Sequence, residues 1–360
     1  MWKQIRPVLL LILAFGLGCA RTTAPSILST PDAAKRLKAI LVVNGTLGDK
    51  SFFDSAQRGM NQARQELGVE TETIELGLDP AKYGPGLEDV AANKEYDVLI
   101  VGTFPMAEFL VKVAAKYPDK KFVIFDAAID YEKCPNKCPN VYSILYKQNE
   151  GSYLAGLYAG LMAQKLSPDR AGRPIIGVVG GMDIPVINDF IVGYKQGAQE
   201  AGLDPERDVL VQYAGTFNDP AKGKELTKAM YRQGASIVFN VAGGTGLGIL
   251  EAAAEEGRWA IGVDSDQWLM LKDQKPEVAA HILTSMLKNV DRSIYWALKL
   301  TLEGKIPWGR VETLGIAEGG VGLAKNENYQ KLTPDDVKAR IEEAEKAILE
   351  GRIQVNTVFP

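Results

Sequence analysis

Short runs with no polar position alternate with helical stretches along this chain, and the alternation starts over part-way through. Residues 39–43 are all apolar, as a strand covered on both faces requires. Phe52, Ala56, Met60, Ala63 and Leu67 then recur every three or four residues, the spacing of one helix face. Residues 70–76, 96–102, 121–126 and 141–145 read as further strands, and a helix through Val111 and Ala115 stops at Tyr117-Pro118. Such a βαβ rhythm demands a mostly parallel sheet with helices on both faces.

The second round begins with a Gly-, Ala- and Tyr-rich helix over 150–165 and a strand over 175–179 that runs into Gly180-Gly181. A helix over 187–201 and strands over 209–213, 236–241 and 260–263 follow. Asp219-Pro220 supplies a capping carboxylate and a proline at the first helical position. The sequence therefore predicts an α/β protein of two doubly wound parallel-sheet lobes, 38–145 and 146–282. The remaining 283–355 is too short for a third domain. It reads as two helices around Gly319-Gly-Val-Gly-Leu323 that complete both lobes, 283–318 the first and 319–355 the second. The chain is then expected to cross between lobes near 145–150, 281–284 and 318–320.

The N-terminus has the pattern of an export signal. Lys3 and Arg6 precede an apolar stretch over 8–15, and Gly16-Leu17-Gly18 leads to Cys19. A cysteine after a small residue at this place resembles a bacterial lipobox, although Gly16 stands where Leu is usual. The reading is a signal peptide over 1–18, a lipid-modified Cys19 and a flexible tether over 19–37 rich in Ala, Ser, Thr and Pro. The alternative is an ordinary signal peptide with an incidental cysteine. Export places Cys134 and Cys138 outside the reducing cytosol, where a short-loop disulfide is expected. Beyond residue 20 no segment reaches the roughly 18 apolar residues of a membrane-spanning helix.

Several chemistries are disfavoured. With 41 basic and 45 acidic residues the net charge is −4, which gives no electrostatic footprint for nucleic acid. His281 is the sole histidine, so no metal site uses two imidazoles, and no Ser or Cys sits in a nucleophile-elbow context. The cluster Gly243-Gly-Thr-Gly-Leu-Gly248 has Ile249 where a dinucleotide fingerprint needs Gly, and no Gly-Lys pair is followed by Ser or Thr. It reads better as close approach of backbone to a ligand or a helix. No catalytic residue, metal or cofactor is assigned.

Ligands of open parallel sheets sit outside the carboxyl ends of the strands. The residues there are Asn44, Asp49 and Phe52, then Asp126, then Gly180, Gly181 and Asp183, then Gly215 and Phe217, then Gly243 and Gly244, and finally Asp264-Ser-Asp266. Carboxylates accept from vicinal hydroxyls, and aromatic faces sandwich a ring, so the set suits a neutral, flat, polyhydroxylated ligand. Asp49 is most simply a solvated or capping carboxylate, and Phe52 also continues the apolar stripe of its helix.

Strings across the chain resemble the basic membrane protein family of bacterial substrate-binding lipoproteins. They include Leu47-Gly-Asp-Lys-Ser-Phe52, Gln148-Asn-Glu-Gly-Ser-Tyr-Leu-Ala-Gly156, Gly180-Gly-Met-Asp-Ile-Pro185, Phe217-Asn-Asp-Pro-Ala-Lys222, Gly262-Val-Asp-Ser-Asp-Gln267 and Thr284-Ser-Met-Leu-Lys288. The resemblance runs from about residue 39 to 351. It implies a type I periplasmic-binding-protein fold with a three-strand hinge. It also implies an ABC permease with its ATPase as partner. With the lipid on Cys19, the chain is expected to be a monomer anchored to the bacterial cell membrane, facing the periplasm or exterior. The implied ligand is a nucleoside, with purines foremost. Asp126 and Asp264 would then hold the ribose with Lys288 beside them. Phe52 and Phe217 would sandwich the base, and the backbone of Gly243 and Gly244 would line the cleft. Asn44 stands where the family carries an acid that contacts the base. The alternatives are a receptor for another flat heterocycle, such as a flavin-type vitamin, and a sensor without transport.

Overall fold

The computed structural model describes residues 36–166 and 173–359. The signal peptide, Cys19 and the tether up to residue 35 lie outside the described residues.

Two six-stranded sheets carry the fold. The first receives β1 (Lys38–Val43), β2 (Glu70–Glu75), β3 (Val98–Gly102), β4 (Lys121–Phe125) and β5 (Val141–Tyr146). The second receives β6 (Ile175–Gly180), β7 (Val209–Tyr213), β8 (Ala235–Val241), β9 (Trp259–Asp264) and β10 (Ile282–Lys288). Two late strands, β11 (Arg310–Leu314) and β12 (Val321–Leu323), complete them. The orders are β11-β5-β4-β3-β1-β2 and β12-β10-β9-β8-β6-β7, so the sheets share one topology. Within them only β12 runs antiparallel to its neighbour. Every residue of β3 and β8 is buried, as expected for central strands covered by helices on both faces.

The helix Gln148–Leu166 departs from the amphipathic pattern because it is enclosed on nearly all sides. It packs along Pro185–Glu200 at backbone distance. A Cβ on Gly156 would lie 2.0 Å from the Tyr194 carbonyl oxygen, and one on Gly197 2.0 Å from that of Tyr153. Any larger residue at either place would push the helices apart. Cys134 and Cys138 form a disulfide.

One boundary differs from expectation. The segment 283–318 does not fall whole in the first lobe, because β10 pairs with β9 through Ser285↔Gly262 and Leu287↔Asp264 in the second sheet. Its polar positions hide a buried strand. The Thr284 hydroxyl donates to the Ala324 carbonyl at 2.7 Å, and Ser285 Oγ accepts from the Gln267 amide at 3.1 Å. The chain therefore crosses at 289 rather than at 281–284. The three crossings, after β5, after β10 and between β11 and β12, are tied together. Lys147 N–H donates to Leu314 O at 2.9 Å, Asn289 N–H to Gly320 O at 2.8 Å, and Gly320 N–H to Gly315 O at 2.8 Å. Glu150 of the first crossing also accepts from Ile316 N–H of the third at 2.9 Å.

Candidate functional site

In each sheet the direction of winding reverses at one place, between β1 and β3 and between β6 and β8. The crevice outside the carboxyl ends of such a pair is where open α/β sheets hold ligands. Here the two crevices face one cavity of about 720 Å³. Asn44, Phe52, Asp126, Phe217, Gly243, Gly244, Asp264 and Lys288 all line it. The structure thus brings together every proposed ligand contact from stretches more than two hundred residues apart.

Asn44 follows β1 and Thr103 follows β3, and the Thr103 hydroxyl lies 2.9 Å from Asn44 Nδ2 and 3.1 Å from its Oδ1. Thr103 takes a left-handed backbone, φ 76°, which is strained for a β-branched residue. It was missed in the sequence although the same strand-end rule points to it. Asp126 directly follows β4 and Asp264 ends β9, and both are left-handed, at φ 58° and 62°. A short polar side chain tolerates that conformation better than most.

Lys288, the last residue of β10, is 2% exposed. Its Nζ donates to Asp126 Oδ1 at 2.6 Å. The ammonium also lies 4.7 Å from the Phe190 ring centre and 5.6 Å from those of Phe52 and Tyr146, within cation–π range. Asp264 Oδ2 accepts from the Ser51 hydroxyl at 2.5 Å. Burial raises both carboxyls above their ordinary range, in each case against the pull of Lys288. Asp264 is pushed up to about 6, with the negative charges of Asp126 and Asp49 adding to burial. Asp49 caps the helix Phe52–Leu67, accepting from the amides of Ser51, Phe53 and Asp54. Its carboxyl too is raised by burial.

The two lobes are bonded directly beside these acids. Ser265 Oγ donates to Ser51 O at 2.7 Å, Gln267 Nε2 to Lys50 O at 3.1 Å, and Arg58 Nη2 to Ser265 Oγ at 2.9 Å. Ser51 had no signal of its own in the sequence, because a serine at a helix N-terminus reads as local capping.

Phe52 and Phe217 are half-buried, one from each lobe. Phe52 packs its ring 5.5 Å from core Phe125 and also lines the cavity. Phe217 lies against Gly181, where a Cβ would come within 2.2 Å of the ring. Gly243 is left-handed at φ 54°, and a Cβ on Gly248 would lie 1.7 Å from Pro220 O. The glycine cluster therefore serves close backbone approach. His281 lies off the cavity, with Nδ1 2.6 Å from Arg258 O. Among the described residues no group of three or more His, Cys, Asp or Glu is placed to hold a metal. Nor is any helix among them long and apolar enough to cross a membrane.

Residues 36–357 match the sequence profile of a family described as ABC transporter substrate-binding protein PnrA-like. An uncharacterised lipoprotein of Pyrococcus abyssi is 35% identical over 87% of this chain and 78% of its own. The ABC transporter nucleoside-binding protein BmpA of Lactococcus lactis is 30% identical over 89% of each chain. Among solved structures, an ABC transporter solute-binding protein of Aeropyrum pernix superposes with a TM-score of 0.77 at 28% identity, over 90% of this chain and 94% of that one.

Proposed function

The chain belongs to the PnrA-like family of ABC transporter substrate-binding proteins, and from that premise we propose that its ligand is a nucleoside, purines foremost. The single observation carrying the reading is the pair Asp126 and Asp264. They come from corresponding strand ends of opposite sheets, on one cavity, with one buried ammonium for two carboxylates. Two acids against one cation leave acceptor capacity that vicinal hydroxyls satisfy. Phe52 and Phe217 supply a face from each lobe for a flat base, and the Asn44 amide offers both a donor and an acceptor to its edge. The nucleoside-binding name of the Lactococcus relative points the same way.

In this reading the lobes close on the nucleoside by bending at the three bonded crossings, and the closed form is handed to a permease driven by its ATPase. The protein works as a monomer held to the outside of the membrane by lipid on Cys19. The relatives named as lipoproteins favour that anchoring. Isothermal calorimetry of the full-length protein against inosine, guanosine, adenosine, the free bases, ribose and riboflavin tests the ligand class. Nucleosides should bind at least about a hundredfold tighter than either half alone, since charge-assisted hydrogen bonds each contribute about 1.5–3 kcal/mol. Equal affinity for free base and nucleoside would refute the reading, and tighter binding of riboflavin would move it to a larger heterocycle.

A further inference from the structure

The cleft is larger than a nucleoside needs, and much of its wall is apolar. A purine nucleoside of about 19 non-hydrogen atoms, packed at the density of a protein interior, fills on the order of 300 Å³. The space here is about 720 Å³. The lobes are bonded to one another beside the acids, through Ser51, Lys50 and Arg58.

Where the surplus lies follows from the chain. In the nucleoside reading the ribose lies by Lys288 and Asp126, and Asn44 with its partner Thr103 faces the base edge. Phe104 comes next in sequence after Thr103, lines the same cavity and is 69% exposed. Leu78, 50% exposed, lines it from the same lobe, and Met182, 40% exposed, lines it from the other. Large apolar side chains exposed together normally mark a contact surface. These three belong to the wall of one cleft and come from both of its sides.

We propose that this outer end of the cleft is a subsite for an apolar, preferably aromatic, substituent carried on the base edge of the ligand. Phe104 offers a face for ring stacking, and Met182 is an adaptable thioether suited to an irregular apolar guest. The chemical class is thus a purine nucleoside with an apolar group on its six-position nitrogen. The inference rests on the nucleoside reading above.

The test compares adenosine with N6-benzyladenosine by calorimetry on the full-length protein and its Phe104→Ser and Met182→Ser variants. Burial of the benzyl ring should make the substituted nucleoside bind about tenfold tighter to wild type. In each variant the ratio of the two affinities should fall toward one, a quantity that corrects for any general damage by the substitution. If adenosine binds while N6-benzyladenosine binds no tighter or is excluded, the outer subsite is refuted and the nucleoside reading stands. If the gain survives in both variants, the substituent lies elsewhere and the subsite is wrong. If neither nucleoside binds, the nucleoside reading falls and takes this inference with it.

Discussion

Asp126 in the first lobe and Asp264 in the second stand at the carboxyl ends of corresponding strands, β4 and β9, with nearly the same left-handed backbone. Their partners differ. Asp126 is bonded by a cation reaching across from the second lobe, whereas Asp264 is bonded by a neutral hydroxyl reaching across from the first. One topology, used twice, places two acids on one cavity, and the single lysine decides between them. Both carboxyls are raised by burial, and that of Asp264 settles at about 6 with no direct cation partner. The lesson is that the fold supplies the symmetry and β10 breaks it, since Lys288 closes a strand whose counterpart β5 closes on Tyr146.

Removing the cation should erase the difference at the largest cost. Lys288→Met leaves two buried carboxylates with no counter-charge. Breaking a buried pair by deleting one member destabilises by about 3–5 kcal/mol. A fall in melting temperature and a loss of nucleoside binding beyond about a hundredfold are expected. A variant as stable and as tight as wild type would remove Lys288 from the account.

Asp264→Ala comes next. If it is the charge-assisted acceptor of the ribose that we propose, its loss should weaken binding by about tenfold to a hundredfold, read by calorimetry. The free base should bind the variant and wild type alike.

Lowering the pH sharpens the contrast without a substitution. In the unliganded protein a carboxyl raised by burial adds stability that is full below its unfolded value and is lost as pH rises through about 6. In the proposed complex ribose hydroxyls favour the ionised form, so binding should have the opposite slope. Nucleoside affinity should fall by about tenfold between pH 7 and pH 5. Asp126, Asp49 and Lys288 share the field, so the control is Asp264→Asn, in which most of that slope should vanish. An unchanged slope would place the titration on Asp126 or Asp49.

Ser51→Ala is the smallest change. It removes the lobe-crossing hydroxyl from Asp264 and should alter affinity only severalfold, because in the proposed complex ribose replaces that donor. A loss as large as that of Asp264→Ala would make Ser51 a ligand contact in its own right.

The lobes were legible in the sequence because central parallel strands are unbroken apolar runs, as in 39–43 and 236–241. What escaped was polar. β10 carries Thr284 and Ser285 on a buried strand, β11 is an edge strand with exposed Arg310 and Val311, and β12 has three residues. None offers a periodic signal. For the cleft, strand ends alone gave Asn44, Asp126 and Asp264. Lys288 entered through family resemblance, because an isolated lysine reads as a surface charge. Thr103 was within reach of the strand-end rule, whereas Phe104, Leu78 and Met182 acquire meaning only when the two lobes are seen across one space.

The most direct test of the central claim is a cycle pairing Asp264→Ala with removal of the ribose hydroxyls, in which wild type and variant are each titrated with a purine nucleoside and its 2′,3′-dideoxy form. If Asp264 holds the diol, either deletion alone should weaken binding by about tenfold or more, and the second deletion should add little to the first. Two losses that multiply in full would show that Asp264 and the ribose hydroxyls act independently, and the assignment of this acid pair to a sugar diol would be wrong.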